Sequence, residues 1–275
     1  MLLQRVITAL VLIPLVITGI LQLPTVILAL ALAPVVLLGG VEWTRLAALD
    51  TLPEKSLYLL VLAASMAGFA LIFHALPQWS TLFFMLFWLL VTVKLIRYRP
   101  APAPAPAPAA NRLGKAVMGL LVLAPAWVSL WVIHGLYEDG PYLVLFLMVL
   151  IWVADSCAYF AGRRWGRMKL APEISPGKTR EGVYGALIGA ALCGAVLYNL
   201  RPETGSLVQL IIFSVVVVLC SVVGDLYESL LKRQAGLKDS GNLLPGHGGV
   251  LDRIDSLTAA APVFLFGLLV LEIAK

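Results

Sequence analysis

The sequence predicts an all-α, polytopic integral membrane protein with about nine transmembrane helices and a cytoplasmic N-terminus. Three observations carry this. Of 275 residues 61% are hydrophobic and 13% charged, about half the 25% charge of a soluble domain. Mean hydropathy is +0.96, too much apolar surface for one aqueous core to hide. Apolar runs also recur at the length of about 20 residues that an α-helix needs to cross hydrocarbon.

Taken in order, the runs place spans near 4–22, 25–46, 56–76, 80–98, 115–136, 141–162, 182–200, 206–230 and 256–274. Arg5 before the first run imitates a signal peptide, and Ala29 and Ala31 form an Ala-x-Ala site. That site is embedded in the second run, so residues 1–23 read as a retained span. The connection 22–24 is short enough to join either a hairpin or a kinked pair. Pro14 and Pro34 are tolerable inside spans, because neighbouring helices satisfy the freed carbonyls. With the N-terminus inside, all of the 20 basic residues except Arg201 and Lys275 fall on the cytoplasmic side. That asymmetry ties the odd helix number to the orientation. It also assigns the net charge of +5 to topology and to anionic headgroups or phosphates, with no nucleic acid implied. Cys157, Cys193 and Cys220 all lie in apolar stretches without CxxC spacing, which indicates neither a disulfide framework nor a zinc site.

Residues 100–110 alternate Pro and Ala. Lacking every second N–H, such a run is excluded from helix and reads as a stiff polyproline-like linker. No aromatic or charged residue is present to give a docking motif its specificity. The expected organisation is therefore N-terminal helices over 1–99, a linker over 100–111, and a catalytic transmembrane part over 112–275. In span 182–200, Gly185 and Gly189 form a small-xxx-small pattern that lets helices approach closely in lipid. It marks either an internal contact, the preferred reading, or a homodimer face.

Two stretches depart from the apolar background. The first, 155–182, holds Asp155 deep in a span, where a carboxylate costs about 3 kcal/mol unless partnered. It continues through Ser175, Lys178, Arg180 and Glu181. The segment lacks the first Gly of a Walker loop, yet Lys178 and Arg180 precede a helix start, where free N–H groups favour phosphate. The second stretch, 224–255, gathers Asp225, Glu228, Lys232, Arg233, Lys238, Asp239, His247, Asp252, Arg253 and Asp255. Carboxylates such as Asp225 and Asp252, with Glu228 and Asp255 as further candidates, are hard oxygen ligands suited to Mg²⁺ bridging to phosphates. Lys232, Arg233, Lys238 and Arg253 can neutralise a polyphosphate. Gly246, Gly248 and Gly249 let backbone approach anionic oxygens, and His247 can orient a phosphate or donate a proton to it. Ser175, Lys178, Arg180, Glu181, Asp155, Gly248 and Gly249 are the candidate substrate contacts.

From Ser229 to Asp255 the chain resembles the signature of the phosphatidate cytidylyltransferase family. The pattern is Ser-x-Leu-Lys-Arg, four residues, Lys-Asp-x-Gly, two residues, then Leu-Pro-x-His-Gly-Gly-Val-x-Asp-Arg-Ile-Asp. It runs without departure. Residues 155–160 and 175–182 are similar to two upstream blocks of the family, with Ser156-Cys157 in place of Thr-Gly and Gly177 in place of Lys or Asn. The resemblance implies attack by a phosphate oxygen of phosphatidate on the α-phosphorus of CTP, giving CDP-diacylglycerol and pyrophosphate. It further implies paired metal ions on Asp225 and Asp252: Mg²⁺, and a second, monovalent ion such as K⁺. It places the enzyme in the inner (cytoplasmic) membrane, with CTP arriving from the cytoplasm and lipid sideways from the bilayer. Two competitors remain: a CTP-dependent lipid kinase of the polyprenol type, which would release CDP, and a transporter for an anionic solute, which would show a midplane site.

Overall fold

The computed structural model describes residues 2–99, 109–136, 138–201, 204–243 and 248–271. Among these residues the chain forms nine helices and one small hairpin. The helices are α1 (Leu2–Gln22), α2 (Thr25–Leu46), α3 (Leu52–Ala75), α4 (Pro77–Ile96), α5 (Ala109–Leu136) and α6 (Gly140–Trp165). The antiparallel hairpin of β1 (Lys169–Ala171) and β2 (Ser175–Thr179) follows, and then α7 (Arg180–Leu200), α8 (Leu207–Gln234) and α9 (Leu251–Val270). Eight of these helices are long and apolar enough to cross a bilayer, and α1 contributes a shorter apolar stretch, Leu12–Gln22. Their outer faces carry exposed Leu, Ile and Phe, such as Leu71 at 72% and Phe160 at 68%, a surface that only lipid tails cover without cost. The protein is an all-α polytopic membrane protein, as the sequence predicts. Most of the linker, 100–108, and His247 lie outside the described residues. The helix after the linker starts at Ala109, three residues before the expected boundary, since alanines beyond the last proline are good helix formers.

The helix ends are written into the sequence. Thr51 accepts from Glu54 N–H at 3.4 Å while Glu54 accepts from Thr51 N–H at 3.1 Å, a capping box that starts α3. Ser206 and Gln209 start α8 in the same way, at 3.3 and 2.8 Å. Its end is a Schellman turn: Leu237 N–H donates to Lys232 O at 2.8 Å and Gly236 N–H to Arg233 O at 3.1 Å. Gly236 supplies the required positive φ of 69°.

Glycines set how closely the helices pack. A Cβ on Gly185 would stand 2.5 Å from Ala161 Cβ and 2.7 Å from Cys157 O, and one on Gly189 would stand 3.0 Å from Cys157 Sγ. The small-residue stripe of α7 is thus spent on an internal contact with α6. Gly194 meets the backbone of α8 at Leu210 and Ile211. Gly224 brings α8 against α9, where a Cβ would come within 2.6 Å of Asp255 O.

The segments on either side of the Pro/Ala run share one core. Trp43, Tyr58, Leu62 and Trp88 from the first four helices pack in one cluster with Leu123 of α5, Tyr227 of α8 and Leu251 of α9. Polar ties mark the two ends of the bundle. At one end Trp43 Nε1 donates to Lys115 O at 2.8 Å, and Arg112 pairs with Glu54 at 3.0 Å. At the other, Arg201 pairs with Asp139 at 2.6 Å. There His134 links Thr25 Oγ1 and Ile20 O, each at 2.9 Å, so that a terminal carbonyl of α1 gains a partner.

Candidate active site

The charged residues of both sequence blocks gather at one end of the bundle, that of the hairpin. On α8, Asp225, Glu228, Ser229 and Lys232 stand at i, i+3, i+4 and i+7, which is one face of a helix. On α9, Asp252 and Asp255 stand at i and i+3, again on one face. Because Gly224 has no Cβ, these two faces meet. Lys232 Nζ lies 2.6 Å from Asp252 Oδ1 and 3.2 Å from Glu228 Oε1, with its side chain 10% exposed. Asp255 sits within electrostatic reach of Asp225 and Lys178 and of Glu228. Both Glu228 oxygens are buried, with Lys232 at one of them and Asp255 beside the pair.

A second cluster adjoins the first. Lys178 on β2 pairs with Asp225 Oδ2, and Ser229 Oγ donates to Asp225 Oδ1 at 3.3 Å. These residues edge a cavity of about 350 Å³ lined by Asp155, Lys178 and Asp225 together with apolar side chains such as Ala158, Val183 and Val218. Its size fits a small-molecule site, mostly apolar with a few convergent polar groups. Asp155 is ten residues before the end of α6, so the cavity reaches roughly 15 Å below that end at 1.5 Å per residue.

The hairpin that carries Lys178 was not foreseen, because Pro176 and Gly177 are poor strand formers and the pairing is only a few residues long. It is held to α7 by both oxygens of Glu181, which accept from Met168 N–H at 3.2 and 3.3 Å. Thr179 caps α7 by accepting from Gly182 N–H at 3.1 Å, and Arg180 N–H donates to Met168 O at 2.9 Å. Two of the helix N–H groups expected to greet a phosphate are therefore engaged within the fold, and of the basic pair Lys178, with Arg180 pointing to solvent, lines the cavity. Ser175 is half-buried on β2 and Glu181 is spent on the hairpin.

Between α8 and α9 the chain forms a loop whose two ends are tied together by Asp252. Its carboxylate accepts from Ser240 N–H at 3.1 Å and from Gly249 N–H at 2.8 Å. Gly248, at φ 85°, belongs to this loop; a Cβ there would press Asp252 Oδ2 at 2.9 Å and come 3.9 Å from Asp239 Cβ. Lys238, Asp239 and Arg253 are exposed around it. Arg233 is exposed as well and reaches Ile174 O of the hairpin and Leu237 O, both at 3.2 Å, so it braces hairpin and loop.

One residue that the sequence reading did not single out belongs to this assembly. Glu42 of α2 is 2% exposed and accepts from Ser240 Oγ at 2.8 Å, Val250 N–H at 2.9 Å and Leu251 N–H at 2.8 Å. The signal was available: an acid inside an apolar helix defaults to a functional residue, the rule that flagged Asp155.

Comparison with known proteins agrees with this geometry. Residues 3–271 match the cytidylyltransferase family. The chain is 45% identical over 268 residues to the phosphatidate cytidylyltransferase of Pseudomonas aeruginosa, covering 96% of each chain. It is 50% identical over 137 residues to that of Haemophilus influenzae, covering 48% of this chain and 47% of the relative. The Bacillus subtilis phosphatidate cytidylyltransferase is 38% identical over 159 residues, covering 56% of this chain and 59% of its own. The likeness thus extends well beyond the charged blocks into the N-terminal helices that share their core, and the chain belongs to the cytidylyltransferase family.

Proposed function

We propose that the protein transfers a cytidylyl group from CTP to phosphatidate, giving CDP-diacylglycerol and pyrophosphate. The observation that carries this is the joining of two charge clusters at one end of the bundle, beside a cavity lined by both charged and apolar side chains. A polyanion and a lipid headgroup can meet there with the acyl chains still in the bilayer. A phosphate oxygen of the lipid attacks the α-phosphorus of CTP, the bond from that phosphorus to the bridging oxygen breaks, and pyrophosphate leaves. The attacking phosphate already carries charge, so no strong general base is needed; holding two polyanions together is the main task.

Lys178 would exchange Asp225 for a substrate phosphate, and Lys232, Arg233, Lys238 and Arg253 would offset charge on the triphosphate and the leaving pyrophosphate. His247 remains a candidate to orient a phosphate. The acidic side chains fit a hard cation by their chemistry. Among the described residues no three His, Cys, Asp or Glu groups converge on one point, but Mg²⁺ is usually held by one or two carboxylates with substrate phosphates completing the shell. The carboxylates of Glu228 and Asp255 stand beside each other in the cluster, as hard oxygen ligands. Asp225 and Asp252 would hold the metal ions, Mg²⁺ and a monovalent partner such as K⁺, with Glu228 and Asp255 beside them. Bound there, the ions would neutralise triphosphate oxygens and polarise the reacting phosphorus.

The basic end of the bundle, by the positive-inside rule, faces the cytoplasm across the inner membrane, where CTP is available. A homodimer would need a surface other than the Gly185/Gly189 stripe, which already packs against α6. The deciding experiment supplies purified protein with α-labelled CTP, phosphatidate and Mg²⁺. Label in a lipid-extractable product, with one pyrophosphate per label, is expected, and chelation of the metal should stop it. Label left in free CDP would indicate kinase chemistry instead, and uptake without CTP turnover would indicate transport.

A further inference from the structure

The active-site loop is gripped from two sides. Asp252 ties its ends together from the side of the charge cluster, through Ser240 N–H and Gly249 N–H. Glu42 grips the same two segments from the side of α2, through Ser240 Oγ on one and Val250 and Leu251 N–H on the other. The last two are among the first N–H groups of α9, which has no side-chain cap of its own. A Ser, Thr or Asp at position 250 would accept only from N–H groups two or three residues further on, not from those of 250 and 251. The chain instead brings a carboxylate from a helix about 200 residues away. Room for it is made by two glycines: a Cβ on Gly241 or on Gly249 would collide with the Glu42 carboxylate.

We propose that Glu42 is a positioning residue for the reaction, holding Ser240 against residues 249–251 so that Asp252 and the Gly248 backbone are presented to the phosphates. Glu42 acts through Ser240 and the start of α9. When those atoms drift, Asp252 loses its two backbone N–H partners, and its pairing with Lys232 is no longer fixed. The proposal rests on reading the site as one of cytidylyl transfer. Loop anchoring, however, can be measured without turnover.

The test compares the full-length wild type with Glu42→Gln and Ser240→Ala in detergent. It reads kcat and KM per monodisperse protein, together with amide hydrogen exchange over 240–251 and over α8. In Glu42→Gln the amide NH₂ must face the N–H of Val250 or that of Leu251, so at least one backbone donor is set against a donor whichever way the side chain turns, and the carboxylate charge that strengthens the remaining bonds is gone. The expected result is a kcat at least tenfold lower with KM for CTP changed less than threefold. Exchange in the loop should be at least tenfold faster while α8 is unchanged. Ser240→Ala removes one of the three hydrogen bonds, should give a smaller loss of kcat, and should add little to Glu42→Gln in the double variant. A folded Glu42→Gln with wild-type kcat, or with unchanged loop exchange, overturns the proposal. Should Glu42→Gln fail to fold, Ser240→Ala decides alone: wild-type kcat overturns the proposal and a lowered kcat supports it. A wild type that makes no lipid product refutes the cytidylyl-transfer reading and leaves the exchange result to judge the anchoring.

Discussion

Lys178 and Lys232 both pair with acidic groups of the site, and their surroundings give them different fates on mutation. The Lys178–Asp225 pair is about a quarter exposed on each side, so its contribution to stability is screened. Lys178→Ala should insert and melt within a few degrees of the wild type while losing roughly 10²–10³-fold in kcat, the usual cost of one aimed donor. Lys232 is wedged between Glu228 and Asp252, each less than a tenth exposed. Lys232→Met would strand both carboxylates and should destabilise the protein by about 3–5 kcal/mol, seen as lost yield and a lowered midpoint in detergent. At this scale the sequence was legible where charges crowd together, as in 225–255, since such density has no structural purpose in lipid. Glu42 could have been flagged as an acid in an apolar helix, but what it holds could not, because its partners lie 198 to 209 residues further along the chain and no local pattern records such a pairing.

At the scale of elements, the crossing of α8 and α9 at Gly224 decides whether the acidic faces meet. Gly224→Val would drive a side chain into Asp255 O and Ala259, costing about 1–3 kcal/mol by overpacking and separating Asp225 from Asp255. Activity should fall well beyond what the stability loss explains. Gly68 is the matched control: a Cβ there meets nothing within 4 Å, so Gly68→Ala should keep full activity and gain up to about 1 kcal/mol of helix propensity. Thermal unfolding and the product assay on both variants check the pair. Helix positions were legible because a bilayer imposes a minimum length on each apolar run. The β1–β2 hairpin was not, because its stability comes from Glu181 binding Met168 N–H and Arg233 binding Ile174 O, contacts that do not show in strand propensity or alternation.

For the whole molecule, the Pro/Ala run reads as a divide in the sequence, whereas the packing makes a single body on both sides of it. Trp43, Tyr58 and Trp88 share a cluster with Leu123, Tyr227 and Leu251, and Arg112 reaches back to Glu54. Cutting the chain within 100–108 and co-expressing the two pieces should therefore yield a complex that copurifies and retains product formation. Either piece alone should be inactive. Separate purification of two folded pieces would contradict the shared core. Composition announced the membrane, but could not announce which helices from the first half would support the second.

The grip of Glu42 on the start of α9 also sets a schedule for synthesis. The carboxylate emerges with α2, and its last partner, Leu251, follows 209 residues later. At roughly 5–20 residues per second that interval is about 10–40 s. For nearly all of it the nascent chain carries an inserted acid with none of its three donors yet made. Water or an insertion factor has to accommodate Glu42 for that time, and the catalytic end closes only as α9 is delivered, so a chain that has not yet reached α9 cannot start turnover early.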